Sequence, residues 1–229
     1  MLAGILAALL ATLVARVIAE PQIDLAIGYE ASHAAHHAPA AVEEPELVSR
    51  DTQKGAGLFT ALALYGAAVG GIFSLVFAYG YGRFGRIGPR SFALLLAGLA
   101  FLLIVIVPGI KYPQTPPAVG QHETVGIRTA ANFIMIGLSI AAAVIADHVR
   151  TALLRSLRPI DATLLAVGAF ALVVGVGQYL LPVINEVPAD FPATLLWNFR
   201  VASIASQAVL WGTIGIAFGL WAEPVLRRA

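Results

Sequence analysis

The twenty residues Ser91–Ile110, SFALLLAGLAFLLIVIVPGI, contain no charged side chain. A helix rises 1.5 Å per residue, so about 20 apolar residues are needed to cross the hydrocarbon core of a bilayer. Lipid offers no hydrogen bonds to the backbone, so a spanning segment of this kind must be a helix whose backbone groups bond within the segment. The stretch therefore predicts a membrane-spanning helix that ends at Pro108-Gly109.

Five further segments have the same character. They are Leu2–Ala19, Gly55–Tyr81, about Gly126 to Ala146, Ile160–Leu181 stopped by Pro182, and Trp197–Trp221 stopped by Pro224. Only 12% of the 229 residues are charged and 59% are hydrophobic, whereas a soluble domain has about 25% charged residues. We therefore predict an all-α integral membrane protein, a bundle of about six transmembrane helices forming one membrane domain over residues 1–229.

The first segment has an alternative interpretation as a secretory signal peptide. It lacks the positively charged region with which such peptides begin. We therefore expect Leu2–Ala19 to be retained as a helix.

The arginines in the short loops predict the orientation. Lys and Arg concentrate in cytoplasmic loops, and alternate connections are rich in arginine: Arg83, Arg86 and Arg90; Arg150, Arg155 and Arg158; Arg227 and Arg228. The opposite loops hold only Arg50, Lys54 and Lys111. Both termini are then cytoplasmic.

The predicted outer side carries most of the acidic and histidine side chains. Ten of the thirteen acidic residues and four of the five histidines fall there by this orientation. Such a surface attracts cations. The outer connections are residues 20–54, 111–125 and 182–196.

The long outer loop contains two clusters with metal-binding chemistry. His33, His36 and His37 are followed by Glu43-Glu44-Pro45-Glu46. If the segment is helical, His33 and His37 share one face at i, i+4. Imidazole with carboxylate suits Co²⁺, Ni²⁺, Zn²⁺ or Cu²⁺. The loop is therefore either a capture site for a divalent cation or a solvated Ala/Pro-rich connection.

The second outer loop is stiffened by four prolines. Its polar residues are Lys111, Tyr112, His122, Glu123 and Arg128. His122 and Glu123 form its best metal-binding pair. Lys111 and Tyr112 are candidates for structural or gating roles. Arg128 lies one turn into the fourth helix and either reaches the outer surface or pairs with a carboxylate such as Glu123.

The sixth helix begins with Arg200 near the outer boundary, and Ser203 and Gln207 follow on one face. We interpret Arg128 and Arg200 as ion-pairing residues that lock the bundle or form part of a gate. Ser203 and Gln207 favour hydrogen bonds between helices. Gly66 and Gly70 are spaced for close helix packing, with a glycine-lined path as the alternative.

Several function classes are excluded by missing features. There is no cysteine, no HExxH, GxSxG or Walker motif, and no basic stripe of the nucleic-acid-binding type. We therefore expect neither an enzyme nor a nucleic-acid-binding protein.

Two regions of the chain resemble the CbtA family of predicted cobalt transporter subunits, and so does the acidic stretch after the first helix. The matching segments are Lys111-Tyr-Pro-Gln-Thr-Pro-Pro-Ala-Val-Gly120 with Glu123-Thr124 and Arg128, and Phe191-Pro192 leading to Leu196-Trp197-Asn198-Phe199-Arg200, Ser203, Gln207 and Leu210-Trp211. The resemblance implies a multi-pass protein of the bacterial inner membrane, tied to cobalt uptake for cobalamin synthesis. It also implies a small partner subunit with one span, CbtB. No cofactor is expected, because cobalt is the transported ion.

Two other functions stay open at this point. The absence of acidic residues in the middle of the spans favours a non-transporting scaffold or accessory subunit of a larger membrane complex. A metal-responsive sensor is the third option, although such a sensor needs an output domain.

Overall fold

The computed structural model describes residues 1–37, 49, 52–83, 85, 87–120 and 122–227, with the backbone alone at 33–37, 118 and 122. Over these residues it is all-helical, with no strand. Six of its helices are long and apolar enough to cross a membrane: α1 (Leu2–Ser32), α2 (Gln53–Gly80), α3 (Pro89–Lys111), α4 (Val125–Leu153), α5 (Pro159–Leu180) and α6 (Ala193–Leu226). The predicted all-α membrane fold is confirmed, while the side that each terminus faces stays a prediction.

Two helices continue through prolines, contrary to expectation. The first helix extends to His37, so the predicted outer loop 20–54 begins as helix, and α3 runs through Pro108-Gly109 to Lys111. In both, a π-helical stretch ends two residues before the proline: Ala15–Ala19 before Pro21, and Phe101–Ile106 before Pro108. Proline has no N–H for the preceding turn. The wider π turn re-routes the hydrogen bonds there, so the helix continues.

The sixth helix likewise continues through Pro224, which we expected to stop it. Pro224 lies in the last turn, where one lost hydrogen bond matters little. An ion pair between Arg227 Nη2 and Glu223 Oε1, 2.7 Å apart, spans that turn. The chain thus begins its tail at Arg227.

The chain divides into two compact units. Unit 1 comprises Met1–Phe101, Thr115–Val119 and Ala189–Ala229, and unit 2 comprises Leu102–Gln114 and Gly120–Pro188. The prediction of a single membrane domain stays a prediction.

Unit 1 is packed through small residues. Gly66 and Gly70 of α2 lie against Gly4 of α1, and a Cβ on Gly66 would overlap the Gly4 carbonyl. On the other side of the unit, a Cβ on Gly215 of α6 would lie 2.7 Å from the Cβ of Ala97 in α3. Helix backbones approach closely where side chains are this small. The structure therefore favours packing over a glycine-lined path for Gly66 and Gly70.

Aromatic rings and ion pairs complete unit 1. Phe218 of α6 packs on Phe73 and Phe77 of α2, with ring centroids 5.2 and 4.8 Å apart. Glu223 accepts from Arg90 as well as from Arg227, so it joins α3 to the end of α6. At the other end of the unit, Lys54 Nζ lies 2.6 Å from Asp24 Oδ2.

Unit 2 is built on the pairing of α4 with α5. Its buried core contains Val107, Met135, Ala142 and Val174. A Cβ on Gly177 of α5 would overlap the Leu138 side chain of α4, so this glycine too permits close packing. The unit includes residues 111–114 and 120–125 of the second outer loop, whereas 115–119 belong to unit 1.

Candidate functional site

A polar cluster lies where α4 begins in unit 2, and we call Gly120, Thr124, Arg128 and Glu186 the Arg128 cluster. Arg128 Nη1 donates to Glu186 Oε2 at 3.2 Å. Thr124, the residue before α4, donates its hydroxyl to the other carboxylate oxygen, Oε1. One carboxylate from the 182–196 connection thus ties together two residues of α4's first turns.

Gly120 is part of this arrangement because of its size. A Cβ at this position would lie 2.5 Å from Arg128 Nη1 and 2.8 Å from Nη2. The guanidinium therefore lies against the bare Cα of Gly120. Any larger residue there would require the guanidinium of Arg128 to shift.

The electrostatics of the cluster are those of a neutralised pair. The Glu186 side chain is 9% exposed and that of Arg128 is 30% exposed. A charge at the edge of a membrane needs an opposite charge or hydrogen bonds, and both carboxylate oxygens of Glu186 supply them. The prediction that Arg128 pairs with a carboxylate is confirmed. The carboxylate is Glu186, whereas Glu123 is exposed.

Tyr112 links two connections of unit 2. It follows α3 directly, and its hydroxyl donates to the carbonyl oxygen of Pro182 at 2.8 Å. Burial raises the pKa of Tyr112 above its usual value, since the phenolate would lose solvation there. The phenol therefore stays neutral and keeps donating. Lys111, the last residue of α3, is half-buried.

Side chains on α4 and α5 serve the irregular backbone around Pro108. Ser139, which is fully buried, directs its hydroxyl at the carbonyl of Leu103 and shares its one proton with the carbonyl of Ile136 in its own helix. Gln178 Nε2 donates to the carbonyl of Val107 at 3.3 Å. A π-type bond to Leu103 would come from residue 108, where proline has no N–H. Ser139 supplies that donor, which satisfies a carbonyl inside a membrane span.

Ser139, Gln178 and Glu186 were not among the predicted site residues, although Glu186 is one of the ten acidic residues on the predicted outer side. Pro108 within a span could have indicated such residues, because a proline leaves a backbone carbonyl without its N–H donor. A polar residue on another span can then donate to that carbonyl. Which span would serve it is set by packing.

A family comparison adds the functional class. The model of a family described as probable cobalt transporter subunit (CbtA) matches residues 1–223 of the chain. The chain belongs to the CbtA family. The match covers nearly the whole chain, including both units, and it confirms the resemblance drawn from the sequence. No match was found among curated proteins or among solved structures.

The predicted metal ligands of this CbtA chain are only in part within the described residues. The side chains of His33, His36 and His37 lie outside them, and so does that of His122. The backbone is helical at 33–37, so His33 and His37 have the predicted i, i+4 spacing. Glu123 is exposed on a 3₁₀ turn, His122–Thr124. Within the described part of the chain, no group of three or more His, Asp and Glu is arranged to hold a metal.

The α6 candidates of the CbtA chain lie in unit 1. Arg200 is half-buried near the start of α6. The Ser203 hydroxyl donates to the carbonyl of Phe199 within its own helix at 2.9 Å. Its one proton is therefore not available for a bond to another helix. The Gln207 side chain instead lies close to that of Tyr65 on α2. The expected hydrogen bond between helices stays a prediction for Gln207.

Proposed function

We propose that this chain is the membrane subunit of a cobalt uptake transporter in the bacterial inner membrane, supplying cobalt for cobalamin synthesis. The observation that supports it most is the family match over residues 1–223. Six membrane-capable helices agree with a transport role.

The chemistry of the predicted outer side suits a divalent cation. Its acids attract Co²⁺, and imidazole and carboxylate are ligands that first-row divalent metals accept. In the proposed order, the 20–54 connection collects the ion and His122 with Glu123 receives it. The ion then passes inward between helices.

The sequence has no nucleotide-binding motif, so we propose that the membrane potential or a partner subunit supplies the driving force. A membrane potential is worth about 2.3 kcal/mol per charge per 100 mV, so a divalent cation gains about twice that on moving to a negative interior. A small single-span CbtB-like subunit is the proposed partner.

The test is cobalt uptake into cells that lack other cobalt importers. The chain is expressed alone and with its single-span partner, as wild type and as His122→Ala. His148→Ala is the matched control, since His148 is an exposed histidine at the opposite end of α4 from His122. We expect uptake to depend on the chain, to fall with His122→Ala and to be unchanged in the control. No uptake in any combination, with the protein present in the membrane, would refute the permease.

A second candidate function is a scaffold or accessory subunit, and the Arg128 cluster favours it. A gate needs groups that can change partners, whereas both oxygens of Glu186 are already engaged by residues of the same unit. On this proposal the chain stabilises a larger membrane complex. Deleting the chain would then lower the amount of that complex, and His122→Ala would leave it unchanged.

A further inference from the structure

Helix α6 carries two buried polar atoms that need a hydrogen-bond partner. Gln207 Oε1 and Trp211 Nε1 are inaccessible to solvent, and neither has a partner among the residues that the structure describes. Trp211 is only 5% exposed to solvent. The two residues are four apart, so they lie on the same face of α6, one turn from each other.

Tyr65 of α2 brings a third polar group to the same place. Its hydroxyl lies close enough to the Gln207 side chain for the two groups to interact. Because Gln207 Oε1 has no partner, the amide nitrogen is the group that interacts with the Tyr65 oxygen. Turning the amide over would pair Oε1 with the Tyr65 proton and leave the amide N–H groups unpaired instead. Either orientation leaves Trp211 N–H in need of an acceptor.

The cost of leaving these atoms unpaired is large. A buried donor or acceptor without a partner loses its hydration and gains no bond in return, and lipid around a bundle supplies no substitute. The neighbouring helix α1 packs on both α2 and α6, and the buried residues of its part Leu2–Val14 are all small, among them Ala7, Ala8 and Ala11. This part of α1 therefore contributes little side-chain volume to its packing against α2 and α6.

The mixed polarity of the atoms decides what fits between them. A cation would face the positive end of the Trp211 N–H bond, and an anion would face the Gln207 carbonyl oxygen. Water accepts one hydrogen bond and donates another, and buried waters typically make two to four such bonds. We propose that unit 1 binds an ordered water molecule within its membrane-spanning core, accepting from Trp211 Nε1 and donating to Gln207 Oε1 beside the Tyr65 hydroxyl.

The inference does not depend on cobalt transport, and its test uses no metal. The full chain is labelled with ¹⁵N-tryptophan and placed in lipid nanodiscs. Its three indole signals are assigned by replacing Trp197, Trp211 and Trp221 with Phe one at a time. We expect a cross-peak between water and the Trp211 indole proton, despite its burial.

The variant Gln207→Leu removes the acceptor of the proposed water. We expect the water cross-peak of Trp211 to weaken about tenfold, which corresponds to the ~1.4 kcal/mol of one hydrogen bond. Ser206→Ala is the control, because the Ser206 hydroxyl bonds Ala202 within its own helix. A wild-type Trp211 signal without a water cross-peak, or one equally strong in Gln207→Leu, would overturn the proposal.

A second measurement leaves Gln207, Trp211 and Tyr65 unchanged. In a Trp197→Phe, Trp221→Phe chain, the ultraviolet resonance Raman band that reports indole N–H hydrogen bonding comes from Trp211 alone. A hydrogen-bonded band shift supports the water site. The band of a free indole N–H would refute it.

Discussion

Replacement of Glu186 tests whether the Arg128 cluster stabilises unit 2. Removing one partner of a buried ion pair costs about 3–5 kcal/mol, because the other charge is left uncompensated. Arg128 is 30% exposed, so solvent relieves part of that charge. We therefore expect Glu186→Ala to lower the free energy of unfolding by about 2–3 kcal/mol.

Two further variants separate the charge from the hydrogen bonds. Glu186→Gln keeps an acceptor for Thr124 and loses only the charge, so it should cost about 1–2 kcal/mol. Replacing both partners, as Arg128→Met with Glu186→Leu, removes the stranded charge and should restore stability to within about 1 kcal/mol of wild type. The measurement is denaturant-induced unfolding of the purified chain in micelles.

The control for this series is Glu123→Ala, which removes an exposed acid from the same end of unit 2. We expect it to change stability by less than about 0.5 kcal/mol. If Glu186→Ala is no worse than Glu123→Ala, or if the double variant loses as much as both single variants together, the pair does not stabilise the unit as argued.

Three further predictions concern single positions. Gly66→Ala should destabilise the chain by about 1–3 kcal/mol in the same unfolding assay, because the added Cβ would overlap backbone atoms of α1. The control is Gly175→Ala, whose Cβ would meet open space, so this variant should be neutral or stabilising. Equal effects of the two variants would contradict the packing argument. Ser139→Ala should cost about 1–3 kcal/mol, because the Leu103 carbonyl loses its donor; no loss of stability would show that this carbonyl is served otherwise. The pKa of Tyr112 is raised on folding, so its contribution is present below the unfolded-state pKa of about 10 and lost as pH rises through the folded-state pKa. Thermal unfolding from pH 7 to 11 should therefore show a decline above about pH 10 that is smaller in Tyr112→Phe, and identical profiles would refute the assignment.

The six spans could be predicted from the sequence because the cause is local. A run of about 20 apolar residues must be helical in lipid whatever surrounds it. The helix ends were less predictable: Pro108 and Pro224 were expected to end helices, and both lie inside them. A proline's effect depends on hydrogen bonds that the neighbouring turn and other helices can replace.

The sequence predicted which kinds of residue form the candidate site, but it did not predict which of them pair. The cost of a charge near lipid left two alternatives for Arg128, reaching the outer surface or pairing with a carboxylate such as Glu123, and the structure shows an ion pair. Its partner, Glu186, is 58 positions away in the sequence, and no local pattern connects them. The metal-binding roles of His33, His36, His37, His122 and Glu123 stay predictions.

The sequence by itself determined that the chain is helical and lies in a membrane, because hydrophobicity and backbone hydrogen bonding act along one segment at a time. Its family resemblance also pointed to cobalt. The tertiary structure alone decided which polar groups meet: Glu186 with Arg128, Ser139 with Leu103, and Gln207 with Tyr65. These pairings arise from the packing of helices that are distant in sequence, where side-chain volume and unmet hydrogen bonds select the partner.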